Sequence, residues 1–366
     1  MLSDIKEQSE IIDKLVKKYL PIDLPVQGIS LNISDEQIKN LNKIYIVASG
    51  SSRNVGNIAK YFLEEVLNLP VFVDYASEFA HRNPSLDKND LVIAISQSGE
   101  TADTYAALKI AIEKGSYTFA LTNNPDSKIY NLAQSKMPVG AGKEKSIPAT
   151  KSFTAQLLNL YILALYVAEK RNSISSDKIQ ELKAELCTLG KKIEKFLENT
   201  DQIDKAAEKI KDSKSLILLG RGTNSAVAEE GALKIKETSY IDANGYPAGE
   251  FLHGYVAVVD ENIPVISIIS PYQIDGENYN LVISNTEEVK RKRNPDLVII
   301  KSQEDLLIEN RLLFAGADFI NIPQSSSEIS PVFAVISLQL LSFRIAELLG
   351  RDVNNPRSLT KSITAE

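Results

Sequence analysis

The 366-residue chain has one cysteine, two histidines and no surplus of positive charge, and each scarcity excludes something. A single thiol, Cys187, rules out an internal disulfide framework. It fits a reducing compartment, so a cytoplasmic location is expected. Cys187 itself reads as a helix packing position. Two histidines and one cysteine are too few for a dedicated transition-metal site. Lys and Arg number 41 against 48 Asp and Glu, a formal net charge of −7, so broad nucleic-acid binding is not expected. Small anionic ligands stay open, because a few local donors override a global charge. The one basic cluster, Lys290 to Arg293, follows Glu287 and Glu288 at a helix end. It reads as a solvated face that complements the helix dipole. Apolar runs are short and interrupted, so no membrane span is expected. The opening MLSDIKEQSEIIDKLVKK is amphipathic and lacks the apolar centre of a signal peptide. There is no Walker motif and no cofactor signature.

What is present is alternation. KIYIVASG, LPVFVDY, LVIAISQS and YTFALTNN are strand-like runs spaced for helices between them. SLILLGRG, IPVISIIS, DLVIIKS and DFINIP form a second series. This is the pattern of parallel α/β sheets flanked by helices. The hydrophobic content of 43% supports two cores. The polar, helix-favouring stretch from Asn172 to Lys214 separates the two series, and the domain junction is expected there.

The two series are copies. Ala76-Ser77-Glu78-Phe79-Ala80-His81 matches Ala248-Gly249-Glu250-Phe251-Leu252-His253, from 78 to 250 an offset of 172. At the same offset Gly50-Ser51-Ser52 meets Gly222-Thr223-Asn224. Duplication of one α/β unit explains both coincidences. Both histidines of the chain fall on the repeated element. They mark either a structural position in each half or a duplicated site with one active copy.

Residues 91–104, LVIAISQSGETADT, carry the clearest functional signal. An apolar run, Leu91 to Ile95, breaks into Ser96, Gln97, Ser98, Gly99, Glu100 and Thr101, and a helix is expected from Ala102. Hydroxyls, an amide and a glycine thus sit where a strand turns into a helix. A helix start offers unpaired N–H groups and a positive dipole end, which suit a phosphate. The same residues also serve as plain helix caps, so the loop reads as a cap or as an anion cradle.

SQSGETADT at 96–104, TKSFTAQL at 150–157, GALKIKETSYIDANGYPAGEFLHG at 231–254 and NPRSLTKSITAE at 355–366 together resemble the sugar isomerase (SIS) domain family in its double-domain form. Within it they look like the isomerase half of glucosamine-6-phosphate synthases. The resemblance covers nearly the whole chain. It implies two tandem SIS domains, each a parallel sheet in a three-layer α/β/α arrangement, over 1–198 and 199–346. A C-terminal tail at 347–366 would contribute to the active site. It further implies that Ser51, Ser52, Ser96, Gln97, Ser98 and Thr101 hold a sugar phosphate. Glu237 would shuttle a proton between C1 and C2. His253 would open the sugar ring, reaching the site from a neighbouring subunit in a homodimer. Lys361 would form a Schiff base with an open-chain ketose or assist at its carbonyl. Lys234, Glu230 and Ala149 would line the site. The substrate would be a phosphorylated hexose or hexosamine, with no cofactor, no metal, no nucleic acid and no membrane.

These residue types suit that chemistry. Isomerisation removes a proton beside a carbonyl or imine, which calls for a nearby carboxylate. A histidine, with an ordinary pKa of about 6.5, trades protons near neutral pH. Lys234 and Glu237 are three apart on an expected helix and share a face, which also fits a surface ion pair worth tenths of a kcal/mol.

Two departures from the synthase pattern bear on direction. Position 2 is Leu2, with no glutaminase nucleophile at the amino end. Residues 142–151 read GKEKSIPATK, where synthases usually carry G-x-E-I-G-V-A-S-T-K. The E-K-S version looks more like glutaminase-free deaminases of the same family, whereas PRSLTKSITAE looks synthase-like. The expectation is a deaminase that converts glucosamine 6-phosphate to fructose 6-phosphate and ammonia. The alternatives are a component running the synthetic direction with ammonia from a separate glutaminase, and a non-catalytic phosphosugar-binding protein.

Overall fold

The computed structural model describes residues 1–270 and 276–361. The chain divides into two compact units. The N-terminal unit comprises Glu7–Glu144, Lys151–Lys191 and the tail from Thr360. The C-terminal unit comprises Met1–Lys6, Lys145–Thr150 and Lys192–Leu359.

The N-terminal unit is built on five parallel strands: β1 (Lys43–Ala48), β2 (Val71–Tyr75), β3 (Asp90–Ser96), β4 (Tyr117–Thr122) and β5 (Ser135–Pro138). Their order is β2-β1-β3-β4-β5. Ala48 of β1 pairs with Tyr75 on one side and Ile95 on the other. Every residue of β3 is buried, as a parallel strand covered on both faces requires. Tyr45, Val47, Val92 and Ala94 share a core with Ala107, Leu108 and Ala111 of the helix Ala102–Glu113. The helices Gly50–Leu67 and Lys151–Arg171 meet through Phe62 and Tyr161, whose ring centres are 4.3 Å apart. Lys151–Arg171 is buried nearly all round, and its polar side chains are partnered. Asn159 donates to the Val139 carbonyl at 2.9 Å, and Lys151 pairs with Glu7 at 2.6 Å. Cys187 is half-buried in the helix Ser176–Phe196, and burial pushes its thiol pKa up. That suits packing rather than nucleophilic chemistry.

The C-terminal unit repeats the plan with β6 (Ser215–Gly220), β7 (Asp242–Pro247), β8 (Val265–Ile269), β9 (Leu297–Ser302) and β10 (Asp318–Ile322). The order is β10-β9-β8-β6-β7, all parallel. In each sheet the first strand lies between the second and the third. β1 and β6 are displaced by 172 residues at both ends, from 43 to 215 and from 48 to 220. The repeated EF-x-H elements form short helices, Ala76–His81 and Ala248–Phe251, directly after β2 and β7. The fold is therefore α/β, with two parallel sheets flanked by helices.

Two strands escape the sequence pattern. β5 reads SKMP and β7 reads DANGYP. Both are sheet edges, which bond on one side only and tolerate polar residues, Gly and Pro. The helix Ser330–Leu348 also departs from expectation, because it is long and apolar enough to cross a membrane by length and composition. Its most apolar window is 83% buried inside the protein, as a core helix would be. The basic cluster ends the helix Glu277–Arg293, and Glu288 pairs with both Arg291 and Lys292.

Asp4 is a buried anchor of the C-terminal unit. It accepts from the backbone N–H groups of Lys145 and Ser146 and from the Ser146 hydroxyl, at 3.0–3.2 Å. Burial pushes its pKa up, but the donated hydrogen bonds outweigh it and hold the carboxyl below the ordinary value of 3.8. The lowered pKa stabilises the fold above pH 3.8, and that contribution is lost as pH falls through the folded-state value. Asp4→Asn is expected to cost about 1–3 kcal/mol at pH 7, the range for a buried group that loses its partners. Urea unfolding should show the gap between the two proteins closing below pH 4.

Candidate active site

In the first sheet the strand order reverses between β1 and β3. The chain leaves their C-terminal ends toward opposite sides, opening the crevice where doubly wound folds bind ligands. Ser51 and Ser52 open the helix Gly50–Leu67 at the end of β1. Ser96 ends β3, and Gln97 to Thr101 lead into the helix Ala102–Glu113. The six loop residues named from the sequence thus meet at one sheet end.

The plain cap reading fails. Ser49 and Thr101 occupy the N-cap positions of these two helices, and neither side chain caps its helix. The Thr101 hydroxyl instead pairs with Ser96 Oγ at 2.9 Å. Ser96 Oγ accepts from the Gly99 N–H at 3.0 Å, and Ser98 Oγ accepts from the Glu100 N–H at 3.1 Å. The Gln97 carbonyl takes the Asn123 N–H at 3.1 Å. Gly99 has φ +70°, and a Cβ there would collide with the Ser127 side chain. Ser52 Oγ donates to Gln156 Oε1 at 3.1 Å, which ties the loop to the buried helix Lys151–Arg171. The loop is thus held by its own hydroxyls, beside two helix starts that lack side-chain caps.

Glu230, Lys234 and Glu237 lie on one helix of the C-terminal unit, Thr223–Ser239. The side chains of Glu230 and Lys234 are 1% exposed, and that of Glu237 is 21% exposed. Lys234 Nζ lies 3.6 Å from Glu230 Oε1 and bonds directly to Glu237 Oε2. The surface ion pair is thus corrected to a buried cation between two carboxylates, one of which reaches solvent. His253 is exposed and follows the helix Ala248–Phe251, its N–H donating to the Glu250 carbonyl at 2.9 Å. His81 is equally exposed at the end of its own helix. Ala149 is half-buried in the Lys145–Thr150 segment of the same unit.

Lys361 belongs to the N-terminal unit. Its Nζ contacts Glu144 Oε2 at 2.7 Å, and Glu144 also accepts from the Ser152 N–H at 3.2 Å and hydroxyl at 2.7 Å. The last five residues of the tail motif, 362–366, lie outside the described residues. Sequence reasoning did not single out Glu144 or Gln156 as site residues. Glu144 was visible only as the first letter of E-K-S, and Gln156 only inside TKSFTAQL. Among the described residues, no hydrogen bond joins His253 or Ala149 to the other residues of the set.

Fold and loop together define a tandem, doubly wound α/β protein with a hydroxyl-rich loop at a sheet switch point. The SIS domain model matches residues 37–166 and 209–345, and the chain belongs to the SIS domain family. It is 42% identical over its whole length to a glutamine–fructose-6-phosphate aminotransferase of Chlorobaculum tepidum, and spans 58% of that relative's length. The C-terminal domain of the glucosamine-fructose-6-phosphate aminotransferase from Francisella tularensis is 33% identical with a TM-score of 0.89. That likeness covers 97% of this chain and 98% of the other. The glucosamine-6-phosphate deaminase of Thermotoga maritima matches over 99% and 98%, with a TM-score of 0.72 at 21% identity, which shows a shared fold alone.

Lys234→Met would leave two carboxylates facing each other without their cation. Denaturant unfolding should show a loss of about 3–5 kcal/mol, as for other broken buried ion pairs. A loss under about 1 kcal/mol, the surface-pair range, would contradict the buried clamp.

Proposed function

We propose that the chain aminates and isomerises fructose 6-phosphate, giving glucosamine 6-phosphate and water from fructose 6-phosphate and ammonia. The observation that carries this reading is the end-to-end likeness to the C-terminal domain of a glucosamine-fructose-6-phosphate aminotransferase. The deaminating direction has weaker support, because the deaminase structure shares the fold alone. The E-K-S segment no longer argues for it either. Glu144 is bonded to Ser152 and Lys361, and Lys145 and Ser146 are bonded to Asp4, so the motif has structural work of its own.

In this reading the loop of Ser51, Ser52, Ser96, Gln97, Ser98 and Thr101 holds the phosphate. Ammonia adds to the C2 carbonyl of the open-chain ketose, and water leaves as the imine forms. Glu237 takes a proton from C1, and the resulting enolamine receives a proton at C2 to give the amino aldose. The exposure of Glu237 supports its role, since it is the one acid of its trio open to a substrate. Lys234 orients it, with Glu230 and Ala149 lining the site. Lys361 assists at the C2 carbonyl, and Glu144 beside it is the acceptor for its proton. His253 of a second copy opens the ring in a homodimer. The ammonia comes from glutamine hydrolysis in a separate glutaminase domain or protein, or from free ammonium. A cytoplasmic location accompanies this metabolic role.

With fructose 6-phosphate and ammonium chloride, the chain is expected to form glucosamine 6-phosphate. Glu237→Gln should cut kcat by about 10²–10⁴-fold, the usual worth of a general base, with KM little changed. An unchanged kcat would contradict the assignment. Equal amounts of His253→Ala and Glu237→Gln chains should recover about a quarter of parental activity, because half the dimers then carry one intact site. No recovery would contradict the shared site.

A further inference from the structure

The second sheet has a switch point of its own, between β6 and β8, that the proposed reaction does not use. Arg221 to Asn224 follow β6, Ser270 follows β8, and the helix Thr223–Ser239 begins there. The place corresponds to the Ser51–Ser52 loop at the 172-residue offset. Gly50 has φ +55° and Gly222 has φ +56°, and both following helices lack a side-chain cap. A cavity of roughly 100 Å³ opens at this point. That is several times the roughly 10–15 Å³ that one water needs.

The lining of the cavity is unusual in what it leaves unbonded. Asn224 is 6% exposed, Ser270 8% and Ser330 1%, and all three line the cavity. Asn224 Oδ1, Ser270 Oγ and Ser330 Oγ have no hydrogen-bond partner. Buried polar atoms are normally satisfied, and three around one cavity mark a place where a ligand completes them. Arg221 supplies the charge. Its Nε lies 3.3 Å from Asn278 Oδ1 and its Nη1 3.4 Å from Asn285 Oδ1, both neutral amides. Among the described residues no carboxylate pairs with it, and no acidic side chain lines the cavity. The set is therefore a cation, two hydroxyl donors and one amide acceptor, at the positive end of a 17-residue helix. A phosphate group matches it, with oxygens for the guanidinium and hydroxyls and a P–OH for Asn224 Oδ1.

We propose that this cavity is a second phosphate-binding site, for a small phosphate monoester, separate from the loop of the first sheet. Where the first sheet's switch point carries Ser51 and Ser52, this one carries Arg221, so the duplicated switch point is rebuilt around a guanidinium. The proposal stands whether or not the isomerase reading holds.

Isothermal calorimetry of the full chain with inorganic phosphate at pH 7 tests it. Two binding events per chain are expected. Arg221→Met should weaken one of them at least tenfold and leave the other. Ser330→Val, which removes one hydroxyl and narrows the cavity, should weaken the same event. Ser96→Ala with Thr101→Val should remove the other event instead. Thermal melting of each variant shows whether it is folded. A single event in the parent, untouched by Arg221→Met and by Ser330→Val, would overturn the proposal. So would loss of both events in either second-sheet variant, which would mark a global effect. Failure of the isomerase reading would show in the Ser96/Thr101 and Glu237 variants alone.

Discussion

A parallel sheet covered on both faces has no room for polar chemistry except beyond the ends of its strands. β3 is buried at every position, and β6, β8 and β9 are nearly or wholly so. Their sequences are accordingly continuous apolar runs rather than alternating ones. The polar groups that the sheets exclude gather where strands give way to helices. There the loop of Ser96 to Thr101 arises in one unit, and the Arg221 cavity in the other. Strand order decides which of the ten strand ends matter, because only the reversal between β1 and β3, or between β6 and β8, leaves a crevice.

Among the described residues, several buried charges are held by partners. Lys234 is sealed from solvent and grips Glu237, which is not. Glu144 is buried and holds both Ser152 and Lys361. Asp4 ties down the Lys145–Ser146 turn. A buried charge without its partner costs several kcal/mol, so each of these contacts has a strong preference for one geometry. The same energetics that stabilise the fold therefore set the direction in which Glu237 and Lys361 point.

Much of this is legible in the sequence. Eight of the strands announce themselves as apolar runs, and the shared 172-residue offset reveals the duplication by itself. β5 and β7 do not, because an edge strand needs one bonded side and little apolar surface. The loop at 96–101 can be located from its residues but not interpreted, since caps and anion cradles use the same ones. In the structure Thr101 pairs with Ser96 instead of capping its helix, a contact the sequence does not report. Lys234 and Glu237 can be placed on one helical face, but whether that face is wet or buried depends on what packs over it. Glu144 is hidden for a related reason. Its partner Lys361 lies 217 residues away, and no local pattern reports such a contact.

The central claim is that this chain moves a proton at C1 of a ketose phosphate, with Glu237 as the base. Deuterium uptake measures that step without reference to direction or amino donor. In deuterated buffer containing fructose 6-phosphate and the full chain, proton NMR should show one deuterium entering C1, and Glu237→Gln should stop it. No uptake above the enzyme-free blank, with or without ammonium, would contradict the account.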